Sequence, residues 1–311
     1  EKQNKNHFWY PSITSKVFIN HNYFNFKNVS IDSKKITSKS LFFAIKGKKK
    51  DGHNFIKEAF SKGAVRAVVQ KYIKGINPKR LIRVPNTLTS LSYLAKVTRQ
   101  HTRAQIIGIT GSSGKTTLKN MTSFVLEKFG NTSFSEHSYN NHYGVPLSLS
   151  NIKEKDIFGV FELGMNKKGE INSLSKILKP NIAVITNISS AHLRNFKNVK
   201  EIAETKTQII NHLVPGGTLI LNRDDKFFNY ISHKAQNKGI QIKSFGLNEN
   251  ANLYLKNIKK IKNIYQITIS YNNQIYLFNT KYNNSTYIQN LLSTCLITLI
   301  LDLNISNKKI Y

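Results

Sequence analysis

At 311 residues the chain is long enough for two ordinary domains, each burying its own core. Its 47 Lys and Arg against 16 Asp and Glu give a formal charge of +31, yet the lysines are scattered among Asn and Ile with no DNA- or RNA-reading motif, so the charge implies steering of anionic ligands and defines no site. The single Cys295 excludes an internal disulfide and a cysteine metal cluster, and the longest apolar run, Leu291 to Leu303, is too short to span a bilayer.

Residues 1 to about 85 hold short β-rich stretches, Leu41 to Ile45, Arg66 to Gln70 and Leu81 to Val84, around a helix near Asn54 to Lys62. They predict a small α/β domain. Asn86 then opens a connecting helix to Gln100, on which Leu88, Leu91, Leu94, Ala95 and Val97 recur at helical spacing. From Gln105 the rhythm changes: strands at 105–110, 158–163, 181–187 and 217–221 alternate with helices at about 115–129, 169–178, 198–212 and 224–236. That alternation predicts a mostly parallel sheet flanked by helices. Residues 251 to 280 predict antiparallel strands instead, with Asn272-Asn273 as a hairpin turn between 267–270 and 275–278. The expected division is 1–85, a connecting helix 86–103, and a second domain 104–311.

The most informative stretch, Gly108 to Thr117, reads G-I-T-G-S-S-G-K-T-T between an apolar strand and a helix marked by Leu118, Met121, Val125 and Phe129. Glycines let backbone N–H groups converge on phosphate oxygens, Lys115 supplies a point charge, and the Thr116 hydroxyl at the helix start can hold Mg²⁺. Thr110, Gly111, Ser112, Ser113, Gly114, Lys115, Thr116 and Thr117 are therefore the candidate polyphosphate-binding residues. The strict P-loop pattern would place glycine at position 109, where this chain has Ile109.

Ligand groups in such a sheet collect at the carboxyl ends of the strands. Strand 158–163 ends in Glu162, and strand 181–187 runs on to Ala191-His192. A carboxylate and an imidazole beside a phosphate loop can hold magnesium directly or through water. Alone, a His after a strand is more often structural and a Glu at a strand end is usually solvated; their joint placement beside the loop reverses those odds.

Six stretches in order resemble the Mur ligases, the ATP-dependent enzymes that add amino acids to the peptidoglycan precursor. They are Asp32-Ser33-Lys34 with Leu41 to Gly47 and Asp51 to Ile56, the loop Thr110 to Thr117, Tyr139 to Pro146, Glu162 to Asn166 with Gly169-Glu170-Ile171, Ala191-His192, and Ile202 to Lys206. The wording Glu162-Leu-Gly-Met-Asn166 is most similar to the branch that joins D-alanyl-D-alanine to UDP-N-acetylmuramoyl-tripeptide. The resemblance implies a small N-terminal α/β domain binding the uridine nucleotide and a central P-loop ATPase domain. It implies ATP and Mg²⁺ as cofactors, with phosphoryl transfer to the tripeptide carboxylate and attack of the dipeptide amine on the acyl phosphate. Lys115 would then meet the phosphates, Thr116 and Glu162 one magnesium, and His192 a second. Asn140 and Asn141 would lie near the transferring phosphoryl group. Lys206 matches a lysine that in this family is carbamylated and helps bind the second metal. Ser33, Asp51 and His53 would lie near the uridine nucleotide or its sugar, and Asn290 near adenine.

Departures accompany the match. Lys34 replaces the family's arginine, and Thr286 and Tyr287 replace a His-Asn pair ahead of Asn290. Asn222, Asp224 and Asp225 match family wording without a role beyond helix capping. The family's third, C-terminal α/β domain is expected to be missing, so the chain is expected to be a fragment that binds nucleotide with little ligase activity. A monomer in the cytoplasm, without specific nucleic-acid binding, is expected. Three other readings stay open: a sister ligase such as the tripeptide synthetase or a folylpolyglutamate-synthase-like enzyme, a nucleotide-dependent nucleic-acid-binding module, and a non-catalytic remnant.

Overall fold

A computed structural model describes residues 24–191 and 195–305, and these form two compact units. The first comprises residues up to Arg103 together with Tyr143–Asp156; the second comprises Ala104–His142 and the chain from Ile157 onward.

In the first unit, β1 (Asn28–Ser30), β2 (Ser40–Phe43), β3 (Ala64–Val69) and β4 (Leu81–Arg83) make a parallel sheet in sequence order. β2 is buried along its whole length, as expected for a parallel strand covered on both faces. Phe42, Ala44, Ile56, Ala59, Ala67 and Val69 form its core. The helix expected over 54–62 divides: Gly52–Phe55 is a 3₁₀ turn capped by Asp51, and α1 (Ile56–Ser61) follows. Helix α2 (Thr87–His101) starts where Asn86 accepts from the Thr89 amide, and it buries Leu91, Leu94, Ala95 and Val97.

The segment 143–156 departs from the expected division, which assigned all of 104–311 to one domain. It contains α4 (Gly144–Ser150), unforeseen because Pro146 and three residues of weak periodicity mask it, and this helix packs on α2. Asn151 secures the same segment. Its side-chain oxygen accepts from the Val29 amide at 2.8 Å and its NH₂ donates to the Val29 carbonyl at 3.0 Å, mimicking a strand neighbour.

In the second unit the sheet runs in the order β13-β12-β11-β10-β9-β8-β5-β7-β6. Its centre is β5 (Gln105–Thr110), between β7 (Phe158–Glu162) and β8 (Ile182–Ile185), all parallel. The expected strands 105–110, 158–163, 181–187 and 217–221 correspond to β5, β7, β8 and β9 (Thr218–Asn222). Short β6 (Thr132–Phe134) and β10 (Gln241–Gly246) extend the parallel block; both lack a distinctive apolar run and were unforeseen. β11 (Leu253–Ile261), β12 (Ile264–Tyr271) and β13 (Gln274–Thr280) complete it as an antiparallel meander. Asn272 and Asn273 join β12 to β13 at φ 49° and 63°, the positive pair that a two-residue type I′ turn requires.

Helices α3 (Lys115–Leu126), α5 (Glu170–Leu178), α6 (Val199–Thr207), α7 (Phe228–Gln236) and α8 (Ser285–Ile300) flank this sheet. The helix expected over 198–212 stops at Thr207, and Gln208–His212 continues as 3₁₀. α8 buries Leu291, Leu292, Cys295, Leu296 and Ile297 in a core with Ile107, Val125, Val184 and Phe245. No described helix is long and apolar enough to cross a membrane. The chain enters β5, crosses to the β6–β7 side and returns to β8 on the other side. The carboxyl ends of β5, β7 and β8 therefore flank a switch point, where this architecture places ligands.

Candidate active site

β5 ends at Thr110, whose hydroxyl donates to the Leu163 carbonyl at 3.0 Å and so ties the start of the glycine loop to the end of β7. Gly111 has φ +152°, and a Cβ there would lie 1.8 Å from Thr186 Oγ1. No other residue fits. Gly114, at φ +79°, precedes α3 without a side-chain cap, leaving the positive end of the helix to the loop.

The segment after β8 braces this loop from the side. Thr186 donates to the Ser113 carbonyl at 2.7 Å. The Asn187 carbonyl accepts from the Ser112 amide at 2.9 Å, and its side-chain oxygen accepts from the Ser113 amide at 3.0 Å. Two of the amides anticipated for phosphate contact are thus engaged within the protein, and the first turn of α3 carries the donors aimed outward. Thr186 and Asn187 carry no motif of their own; their bracing role depends on β8 lying beside β5, which no local pattern reveals.

Glu162 organises the other side. It is 1% exposed, accepts from the Thr116 hydroxyl at 2.7 Å with one oxygen, and accepts from the Asn140 side-chain amide at 2.7 Å with the other. Gly164 is needed close by: its amide donates to the Asn140 carbonyl at 2.7 Å, and a Cβ would stand 2.7 Å from Asn140 Oδ1. The motif Glu-Leu-Gly therefore fits a turn that presses against Asn140. Asn141 follows it, exposed. The carboxylate of Glu162 and the hydroxyl of Thr116 are hard oxygen donors of the kind Mg²⁺ takes, and one or two such protein ligands suffice when phosphates and water complete the shell. No group of three or more His, Cys, Asp or Glu able to hold a metal occurs among the described residues. His192 lies outside them.

Three lysines converge here. Lys115 Nζ and Lys206 Nζ both donate to the Gly111 carbonyl, at 3.0 and 2.8 Å. Lys206, on α6, is 1% exposed; burial first, and then the charge of Lys115, lower its pKa to about 7. Burial also lowers the pKa of Lys115, against the opposing pull of Glu162. Lys119 escaped the sequence reading because a lysine one turn into an amphipathic helix reads as solvated. It is instead 1% exposed, donating to the carbonyls of Ser135 at 2.6 Å and His137 at 2.7 Å.

Asn290 on α8 is buried against Gly114, with its Oδ1 3.1 Å from where a Cβ would stand, and its side-chain NH₂ has no partner among the described residues. Asn222, Asp224 and Asp225 act as staples as well as caps. Asp225 accepts from the Ile188 amide at 2.6 Å and from the Phe227 amide at 2.8 Å, while Asp224 accepts from the Leu247 amide at 2.8 Å and Asn222 from the Asp224 amide at 3.0 Å.

In the first unit, His53 is buried with both ring nitrogens occupied: Nδ1 pairs with Asp51 at 2.6 Å and Nε2 accepts from the Gln70 amide at 3.0 Å. His53 thus locks the Asp51–Phe55 turn against the end of β3, and the turn as a whole is what the resemblance sets near the nucleotide. Asp51 is the turn's N-cap, accepting from the His53 amide at 3.0 Å. Ser33 is buried and donates to Glu58 at 2.8 Å.

Known proteins match this arrangement. The curated UDP-N-acetylmuramoyl-tripeptide–D-alanyl-D-alanine ligase of Buchnera aphidicola subsp. Baizongia pistaciae is 40% identical over 79% of this chain and 54% of its own length. That of Haemophilus influenzae is 37% identical over 69% and 48%. The chain thus spans about half the length of these relatives. Among solved structures, MurF from Acinetobacter baumannii superposes with a TM-score of 0.83 at 27% identity, covering 96% of this chain and 66% of that one. MurF ligase from Thermotoga maritima in complex with ADP superposes at 0.76 and 26% identity, covering 89% and 64%. The Mur ligase family catalytic-domain model matches residues 25–89 and the Mur ligase middle-domain model matches residues 109–298. With most of its length so matched, the chain belongs to the Mur ligase family.

Proposed function

We propose that this chain carries the nucleotide-handling part of an ATP-dependent ligase that joins D-alanyl-D-alanine to UDP-N-acetylmuramoyl-tripeptide. The observation that carries the reading is the chain of contacts Thr116–Glu162–Asn140 at the mouth of the glycine loop, each link 2.7 Å long. A hydroxyl, a buried carboxylate and an amide held in register beside a phosphate loop suit a phosphoryl transfer and little else. The curated relatives named for this ligase supply the substrates.

A carboxylate resists attack by an amine because it is anionic and lacks a leaving group. Transfer of the γ-phosphoryl of ATP to the tripeptide carboxylate breaks its bond to ADP, which leaves, and gives an acyl phosphate; the neutral dipeptide amine then attacks its carbonyl carbon, the C–N bond forms, phosphate leaves, and the nitrogen gives up a proton. Lys115 swings from the Gly111 carbonyl to the β- and γ-phosphates, and the amides of the first turn of α3 bind the remaining oxygens. Asn140 faces the transferring group, its orientation fixed by Glu162. Asn290 offers its unpartnered NH₂ to the base or ribose side of the nucleotide, consistent with the expected adenine contact. Mg²⁺, held by Thr116 and Glu162, neutralises phosphate charge when bound. Lys206, whose pKa of about 7 leaves a substantial share of its amine neutral at that pH, is suited to add CO₂: its nitrogen attacks the carbon, a proton leaves to solvent, and a carbamate results. That anion, with His192, would serve a second metal. Asp51 and Ser33 belong to a first unit that binds the uridine nucleotide through its turns.

The test is product mass, on this chain and on any longer protein containing it, with ATP, Mg²⁺, bicarbonate, UDP-muramoyl-tripeptide and D-alanyl-D-alanine. The pentapeptide product, and loss of Mg²⁺-dependent ATP binding in Glu162→Gln, support the reading. Amide formation only with the amine substrate of a sister ligase, or no nucleotide binding at all, overturns it.

A further inference from the structure

Lys119 is a fully buried cation that the chemistry above leaves unused. It projects from α3 one turn beyond Lys115, and its ammonium donates to two backbone carbonyls, Ser135 at 2.6 Å and His137 at 2.7 Å. Both belong to the short stretch between β6 and Asn140. Ser135 is itself fully buried, and its amide still pairs with the Val160 carbonyl of β7 at 3.2 Å, so the chain leaves the sheet at this residue. His137 follows at φ +46°, in the left-handed region where a non-glycine residue needs outside support. Three residues later Asn140 donates to Glu162, and the Gly164 amide donates to the Asn140 carbonyl.

A buried ammonium costs several kcal/mol to desolvate unless strong acceptors surround it. Two carbonyls at short distance meet that need, and Glu162 adds a favourable charge against the burial that lowers the lysine's pKa. A neutral apolar residue would fill the same volume without the desolvation, so the cation points to a demand for its donors at this place. That demand is the fixed exit of the 135–141 segment.

We propose that Lys119 is a positioning residue: by clamping the carbonyls of Ser135 and His137 it sets the place of Asn140, and through Asn140 the orientation of the Glu162 carboxylate that faces magnesium and nucleotide. The inference rests on the reading of Glu162 as a magnesium ligand, and it assigns Lys119 no contact with substrate. Because α3 begins at the phosphate-binding Lys115, the same helix that receives the phosphates also holds the opposite wall of the site in register.

Two measurements on Lys119→Met test it. Hydrogen–deuterium exchange of the ligand-free protein reads the positioning directly, with faster exchange over 135–143 and little change in the core strands β5 and β8 expected; unchanged exchange over 135–143 overturns the inference whatever the metal does. Binding of a fluorescent ATP analogue with and without Mg²⁺ reads the consequence. The metal-free affinity should change little while the Mg²⁺ enhancement falls by about 10–100-fold, the usual effect of losing a partner behind a metal ligand, and Lys119→Arg should recover part of it. Equal loss with and without Mg²⁺ marks a merely structural lysine and overturns the proposal. A wild-type protein whose nucleotide binding ignores Mg²⁺ overturns the reading of Glu162, and the inference as a route to metal falls with it. Lys119→Gln, which keeps a donor, replaces the methionine variant if that one does not fold.

Discussion

Lys115 and Lys206, 91 positions apart in sequence, place their ammonium groups on one acceptor, the Gly111 carbonyl, at 3.0 and 2.8 Å. Two cations on one oxygen repel, and Lys206 yields because it is the more deeply buried: its pKa falls from 10.5 to about 7. The sign for stability follows from proton counting. The unfolded chain binds a proton at Lys206 that the folded chain loses above about pH 7, so this site opposes folding most below that pH, and its contribution to stability rises with pH until the unfolded value of 10.5 is passed. The same titration would govern the proposed CO₂ addition, which needs the neutral amine. At fixed dissolved CO₂, the mass gain of one carbamate on the intact protein should climb steeply up to about pH 7, as the amine loses its proton, and go on rising more gently above it, because forming the carbamate releases a further proton. Lys206→Ala should abolish it; a mass gain persisting in that variant would place the modification elsewhere.

Gly111 tests the loop geometry. A Cβ at φ +152° and 1.8 Å from Thr186 Oγ1 forces either the loop or the β8 end to move. Gly111→Ala should cost about 2–4 kcal/mol in denaturant unfolding, combining backbone strain with overpacking. Removing the obstructing hydroxyl with Thr186→Ala should restore part of that loss in the double variant, giving a coupling of about 1 kcal/mol or more. Additive costs would mean that the loop relaxes away from Thr186.

The sequence exposed the parts of this site that are local and hid those that are relational. The loop, α3, Glu162 at a strand end and the Asn272-Asn273 turn each carry their chemistry in a few consecutive residues, so pattern and geometry coincide. Lys119 and Asn187 do not. Each is a polar residue whose role comes from a carbonyl or amide contributed by a loop elsewhere in the chain, and periodicity reads such residues as solvated. His53 is similar. Its Asp51-Gly52-His53 motif speaks only of a place near the nucleotide, while the structural work of the ring, held by Asp51 and the Gln70 amide on its two nitrogens, is not announced by the motif. The placement of 143–156 with the first unit was hidden for the same reason: the Asn151 pairing with Val29 spans 122 residues of sequence.

Asn290 offers a separation of stability from binding. Its NH₂ is buried beside Gly114 and has no partner among the described residues, a cost of about 1–3 kcal/mol carried in the nucleotide-free protein. Asn290→Leu, of similar volume, should leave the melting temperature unchanged or raised while weakening ATP binding by about tenfold, or ~1.4 kcal/mol. Thermal unfolding and nucleotide titration on the same preparation check both arms. A variant that loses stability and keeps its affinity would show that the amide supports the fold and meets no ligand.

Asp225 links the β9 turn to the segment that braces the loop. Its carboxylate accepts from the Ile188 amide at 2.6 Å and the Phe227 amide at 2.8 Å, and Ile188 directly follows Asn187, which occupies the Ser112 and Ser113 amides. Hydrogen bonds to a charged group contribute about 1.5–3 kcal/mol each when buried and aligned, and these are partly exposed, so Asp225→Ala should destabilise by about 1–3 kcal/mol. More telling is where the protein loosens. Exchange should accelerate over 186–190 and then over 111–113, while 135–141, held from the other side by Lys119, stays protected. Nucleotide affinity should fall through a faster off-rate, because a loop that must be ordered on binding releases its ligand sooner. An unchanged off-rate with accelerated exchange would mean that the phosphate loop holds its shape without the β8 brace, and that Gly111 and Gly114 alone define the cradle.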